Sequence, residues 1–158
     1  NITEVPEPEV LADIAVQTAT KAKAFGYEPR VALVSFSNFG YPHREHMQRM
    51  QEATKILDLR KVDFEYDGEM GVDVALDMSL RKNYPFCRLS GPANILIMPG
   101  LHAANISYKL LQAVGGGTII GPMLLGLEKP VQIVQMNATV NDLVQAAAIA
   151  AHDTILND

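Results

Sequence analysis

Arg30-Val-Ala-Leu-Val-Ser-Phe36 is the stretch that decides the fold. It is short, apolar and rich in valine, without the polar alternation of a half-exposed strand, and so predicts a strand buried on both faces. Asn94-Ile-Leu-Ile-Met98 repeats the pattern and is closed by Pro99-Gly100. Such strands need helices above and below them, and the intervening sequence supplies helices. Leu11, Ile14, Ala15, Thr18, Ala22 and Phe25 recur at three- and four-residue intervals, predicting a helix over 8–25 that Gly26 stops. Helical spacing returns over 44–58 through Met47, Met50, Ala53, Thr54 and Leu57, and further helices are predicted over 72–80 and 103–114. The last helix follows Thr139, which with Asp142 forms a capping-box pattern; Leu143, Ala146, Ala147, Ala150 and Ile155 mark its predicted buried face. Three more strands are predicted over 62–66, 118–121 and 130–135. About five strands alternating with about five helices describe a three-layer α/β sandwich with a largely parallel sheet.

The 158 residues, 48% apolar and 20% charged, supply one sizeable core. Residues 1–9, rich in acids and prolines, are expected to be a linker, and 10–158 the folded part. Beginning at Asn1 without a basic leader, the sequence is expected to be a piece of a longer polypeptide. A net charge of −5 without a basic run argues against a phosphate-reading nucleic-acid binder. No apolar stretch approaches the roughly 20 residues that a bilayer demands, so no membrane role is expected. A single cysteine, Cys87, excludes an internal disulfide framework and fits a reducing cytoplasm.

In a parallel sheet of this kind ligands bind beyond the carboxyl ends of the strands, which directs attention to the loops after Phe36, Met98, Gly121 and Gln135. Loop 35–40, Ser-Phe-Ser-Asn-Phe-Gly, offers hydroxyls, an amide and a glycine. Two readings of it stay open: contacts to a polar ligand, or a turn whose Ser and Asn bond their own backbone. Gly115-Gly-Gly117 follows a helix and lacks a phosphate-loop lysine, so it is read as a helix end and turn. His43 and His46 are read as solvated helix-end residues, and Asp67, Glu69 and Asp73 as charge at a helix N-terminus; no metal site is assigned. Cys87 is read as a structural or exposed thiol, since no partner base is identifiable.

Several motifs, in order, resemble the phosphotransacetylases. They are Val31-Ala-Leu-Val-Ser-Phe-Ser37, Asp67-Gly-Glu69, Ala93-Asn-Ile-Leu-Ile-Met-Pro99, Ala104-Asn-Ile-Ser-Tyr-Lys109, Ile120-Gly-Pro122 and Lys129-Pro-Val131. The resemblance spans 10 to about 151. It implies an isopropylmalate-dehydrogenase-like architecture, a cleft between two subdomains and a homo-oligomer, at least a dimer; the half that carries the phosphate-binding arginines precedes this sequence. After Lys-Pro-Val the family pattern continues Asn-Asp-Leu-Ser-Arg-Gly, with an Asp seven residues beyond the Ser. Here Gln135 stands at the Ser position and Met136 at the Arg position, while Asp142 is retained. Methionine cannot supply a bidentate cation, and Asp142 also suits a helix cap, so no catalytic residue is assigned.

Ser37-Asn-Phe-Gly40 and Val131-Gln-Ile-Val134 look like the phosphotransacetylase-like domain of hybrid NADP-dependent malic enzymes. That resemblance implies a regulatory and oligomerisation domain. It would bind acetyl-CoA or coenzyme A, with acetyl-CoA restraining oxidative decarboxylation of malate to pyruvate in a separate N-terminal catalytic portion that holds NADP and a divalent cation, Mg or Mn. Expected ligand contacts are Ser37 and Asn38, with Gly121 and Pro122 as a backbone wall and Gln135, Met136 and Asn137 as an altered rim. Two other readings remain open: an active phosphate acetyltransferase using another cation, Lys129 or Arg44, and a dimerisation module without a ligand.

Overall fold

In the computed structural model, which describes residues 3–42, 48–115 and 119–157, helix α1 (Pro8–Ala24) opens on a proline at its first turn. A missing N–H costs nothing there. The helix ends as Gly26 predicted: the Gly26 amide donates to the Lys23 carbonyl and the Tyr27 amide to that of Ala22, the paired bonds of a Schellman motif. Its buried face is Leu11, Ala12, Ala15 and Ala19, while Ile14 and Phe25 are exposed. The predicted stripe is therefore rotated by about one residue, because three small alanines let α1 pack closely where Ile14 would hold it off.

Strand β1 (Arg30–Val34) is buried from Val31 to Val34, as its composition predicted. It lies at the centre of a three-stranded, all-parallel sheet of order β2-β1-β3, with β2 at Glu65–Met70 and β3 at Ile95–Ile97. Val31 registers with Tyr66 on one side and Ile95 on the other. Asn94 fixes the β1–β3 end: its carbonyl oxygen accepts from the Arg30 amide at 2.8 Å and its amide donates to the Glu28 carbonyl. Helices α1 and α2 (Gln48–Arg60) cover one face over Val31, Leu33, Ile95 and Ile97. The other face packs Ala32, Val34 and Met70 against Val74 and Ala75 of α3 (Val72–Leu76), with Leu89 and Ala93. These are the three layers of the expected sandwich.

Several boundaries differ from expectation. The second strand was predicted at 62–66 and runs instead through Asp67, Gly68 and Glu69, because both carboxylates find partners that local sequence does not reveal. Gly68 is required where it stands: its φ is +153° and a Cβ would meet the Leu33 carbonyl oxygen at 2.6 Å. The helix over 72–80 is two short ones, α3 and α4 (Met78–Arg81). Asp77 is extended between them and its carboxylate accepts from the Ser79 amide. His43, Arg44, His46, Met47, Gly116 and Gly117 lie outside the described residues.

The chain divides into two compact units, Asn1–Tyr108 and Lys109–Asp158. Helix α5 (Leu101–Val114) runs from the first into the second. The second unit holds no named strand among its described residues: 119–121 and 130–135, read as strands, are irregular apart from one antiparallel bridge between Met123 and Gln132. Pro122 and Pro130 lack ladder donors, and an apolar run without a pairing neighbour has no sheet to join. Helix α6 (Val140–Asn157) follows. No helix among the described residues is long and apolar enough to cross a membrane.

A polar cluster ties α2 to the sheet. The Tyr66 hydroxyl and Arg88 Nη1 both donate to Asp58, and Arg88 also reaches Asp67. Burial first, then the bond to Asp58, pushes the Tyr66 phenol up to about 12. The bond from Tyr66 holds the Asp58 carboxyl below its usual range, against the opposing pull of burial. A raised phenol stabilises the fold below its unfolded value of about 10, and that contribution fades as pH rises toward the folded one. A depressed carboxyl stabilises above its unfolded value of about 3.9 and is lost as pH falls through its folded value. In a phenolate absorbance titration Tyr66 should contribute a late step at its raised value. Tyr66→Phe should remove that late step and flatten the acid limb of the stability profile.

Candidate functional site

The carboxyl ends of β1 and β3 open onto a cleft of 590 Å³ within the first unit. That size is ordinary for a small-molecule site, which typically spans about 300–1,000 Å³. Its walls are mostly apolar, from Val34, Phe36, Met98 and Pro99, with hydroxyls at Ser35 and Ser107. Arg49 of α2 and His102 of α5 line the same space. Glu4 and Val5 line it too. The Glu4 carbonyl accepts from the Leu101 amide at 3.0 Å, and Arg49 Nη1 donates to the Pro6 carbonyl at 3.1 Å. Gly100 permits this close crossing, since a Cβ there would meet the Glu4 carbonyl oxygen at 2.7 Å. Apolar walls with a guanidinium and an imidazole suit a ligand that joins an aliphatic or acyl part to an anionic group.

Loop 35–42 is held from below by Glu69. This fully buried carboxylate accepts from Ser37 Oγ at 2.8 Å and the Gly40 amide at 2.7 Å, both through Oε1. Its main-chain oxygen accepts from the Phe39 amide at 2.7 Å. Oε2 has no donor among the described residues. Asn38 Oδ1 accepts from the Gly71 amide at 2.7 Å. Asp67 is likewise buried, accepting from the Gly68 and Arg88 amides. Asp67 and Glu69 are thus strand residues that organise loops, which corrects their reading as charge at a helix N-terminus; only Asp73 lies in a first helical turn. No group of three or more potential metal ligands occurs among the described residues.

Of the expected contacts, Ser37 and Asn38 belong to this loop, where Ser37 is buried and its hydroxyl is committed to Glu69. The loop residues that line the cleft are Ser35 and Phe36. Arg49 and His102 were not singled out as contacts. His102 follows the Pro99-Gly100 that closes a buried strand, a position at the ligand-binding end of the sheet that marked it in advance. Arg49 precedes the core residue Met50 on a helix and carried no such mark. Burial pushes the half-buried Cys87 thiol up, away from the reactive thiolate form.

The remaining expected residues lie in the second unit. Gly121 and Pro122 are exposed, and Gln135, Met136 and Asn137 form an exposed turn in which the Ala138 amide donates to the Gln135 carbonyl. Asp142 is engaged in a reciprocal cap: its carboxylate accepts from the Thr139 amide and hydroxyl at 2.8 Å, and its own amide donates to Thr139 Oγ1. The Thr139 amide above all holds its carboxyl below the usual range, the wrong direction for a general base.

Residues 1–151 match the phosphate acetyl/butaryl transferase family. The chain is 56% identical over 152 residues to the NADP-dependent malic enzyme of Rhizobium meliloti (strain 1021), covering 96% of this chain and 20% of that protein. It is 51% identical to a probable NADP-dependent malic enzyme of Rickettsia prowazekii (strain Madrid E), covering 98% of this chain and 21% of that one. Among solved structures it superposes on a phosphotransacetylase from Streptococcus pyogenes with a TM-score of 0.90 at 35% identity, over 99% of this chain and 48% of the other. It therefore spans about a fifth of the length of these malic enzymes and about half of that phosphotransacetylase. Motifs, layered fold and matched residues agree, and the chain belongs to the phosphate acetyl/butaryl transferase family.

Proposed function

We propose that the chain is a non-catalytic regulatory and oligomerisation portion of an NADP-dependent malic enzyme and that it binds acetyl-CoA as an inhibitor of malate oxidation. One observation carries the reading: the Gln135-Met136 turn, which the resemblance to phosphotransacetylases aligns with a reactive Ser-Arg pair, is exposed and carries neither a hydroxyl nor a cation, while an apolar cleft lined by Arg49 and His102 lies at the sheet's carboxyl end. The similarity to malic enzymes supports it. Arg49 and His102 suit the phosphates of a coenzyme A derivative, and the Val34, Phe36 and Met98 wall suits its aliphatic arm. NADP and the divalent cation belong to the separate catalytic portion. Inhibition of this kind requires acetyl-CoA to bind the slow arrangement of the assembly more tightly than the fast one, since equal affinity shifts nothing.

The test is calorimetric titration of the full malic enzyme with acetyl-CoA, with coenzyme A as comparison. Saturable binding is expected, and Arg49→Ala should weaken it about tenfold, the loss of roughly one charge-assisted hydrogen bond. No heat of binding to the full enzyme would leave a dimerisation module without a ligand. The similarity to a phosphotransacetylase favours a second reading, acetyl transfer between coenzyme A and phosphate. A coupled assay forming acetyl-CoA from acetyl phosphate decides it, and turnover by the full protein would displace the first reading.

A further inference from the structure

Two donors at the cleft are taken by the main chain of residues 4–6. The Leu101 amide, first of α5 and so without a helical acceptor, donates to the Glu4 carbonyl at 3.0 Å. Arg49 Nη1 donates to the Pro6 carbonyl at 3.1 Å, the one hydrogen bond of this side chain among the described residues. Glu4 and Val5 line the cleft themselves, whereas Pro6, which is buried, does not. Residues 4–6 are thus a strap laid along the cleft and pinned at both ends. The pins are weak ones. Each carbonyl is neutral and takes a single bond, whereas an arginine and the leading amides of a helix hold phosphate oxygens through charge-assisted bonds of about twice the strength.

We propose that the strap is an internal competitor of the ligand: a phosphate group entering the cleft takes Arg49 from the Pro6 carbonyl and the Leu101 amide from that of Glu4, and residues 4–6 come away. The inference rests on the coenzyme A reading for the ligand's identity and adds which part of the chain has to move. Strap and ligand exclude each other on the same donors, so loosening the strap must tighten the ligand by the same factor. Gly100 sets how firmly the strap sits, since a Cβ there would meet the Glu4 carbonyl oxygen at 2.7 Å. The strap runs into α1 at Pro8, so its position carries the state of the cleft to the first turn of that helix.

The experiment combines calorimetric titration of the full malic enzyme by acetyl-CoA with digestion by a glutamate-specific protease. Pro6→Gly, outside the cleft lining, gives the free strap more conformational freedom and should tighten acetyl-CoA binding about threefold. Gly100→Ala, which unseats Glu4, should tighten it as well. In the parent, acetyl-CoA should speed cleavage of the Glu4–Val5 bond about tenfold, because the bond is cut in the released segment and not in the docked one. Binding unchanged or weaker in Pro6→Gly would overturn the proposal. So would acetyl-CoA slowing the Glu4–Val5 cut, which would mean that the ligand rests on a docked strap. Either result leaves the acetyl-CoA reading standing, whereas no heat from the parent or from either variant would remove that reading and the competition together.

Discussion

Replacing Arg81 by alanine should cost the first unit about 3–5 kcal/mol, from two main-chain carbonyls left without a charged donor together with the lost packing of a buried side chain. Arg81 is 5% exposed, and its guanidinium spends its donors on main-chain carbonyls instead of a carboxylate. Nη1 donates to the carbonyls of Gly91 at 2.6 Å and Leu89 at 3.2 Å, and Nη2 to that of Ala75 at 2.7 Å, with Val74 at the margin of reach. Val74 and Ala75 sit in the last turn of α3, whose carbonyls have no helical partners. One side chain therefore terminates α3 and clamps the segment before β3 onto it. Ala75 keeps the Ala93 amide as a partner after truncation, but the Leu89 and Gly91 carbonyls lose the donor that Arg81 supplied. Arg81→Met, which restores volume without donors, should be about as damaging, and Arg81→Lys intermediate, because an ammonium cannot span carbonyls this far apart. Chemical denaturation decides it through the midpoint at unchanged slope. A midpoint indistinguishable from the parent's would mean that water satisfies these carbonyls.

Glu69→Ala should cost about 2–4 kcal/mol, from a buried and a part-buried donor left without an acceptor together with the void of the missing side chain. Ser37 Oγ and the Gly40 amide both rest on Oε1. Glu69→Gln keeps an oxygen for them and exchanges only the atom that already lacks a partner, so its cost should be about 1 kcal/mol. The contrast separates the acceptor from the charge. Exchange of the Gly40 amide should rise in Glu69→Ala and stay near the parent's in Glu69→Gln. Equal loss in both variants would show that the negative charge itself, and not the oxygen at Oε1, holds the loop.

These two residues also show where sequence reading stops. Val31 to Val34 were legible because a buried central strand has only apolar neighbours, so its composition states its environment. Glu65-Tyr-Asp-Gly-Glu-Met70 reads locally as a charged turn. It is a strand because Arg88, Ser37 and the Gly40 amide arrive from elsewhere to satisfy Asp67 and Glu69. Residues 130–135 show the converse, since apolar character without a pairing edge leaves irregular chain. The sheet end that carries the cleft was legible from the strand–loop pattern alone. Arg49 was not, because a helix turns its polar and core faces over within one residue, and only packing shows which way each points. The Thr139–Asp142 cap was legible because both partners are neighbours in sequence.

That cap bears on how such chains are inherited. Asp142 earns its place through the helix it starts, whether or not acyl transfer takes place nearby. Loss of the reactive pair before it would put no pressure on the aspartate to drift. On the proposed reading, the aspartate here records a helix beginning, and residues 135 and 136 are the ones that register whether the chemistry was kept.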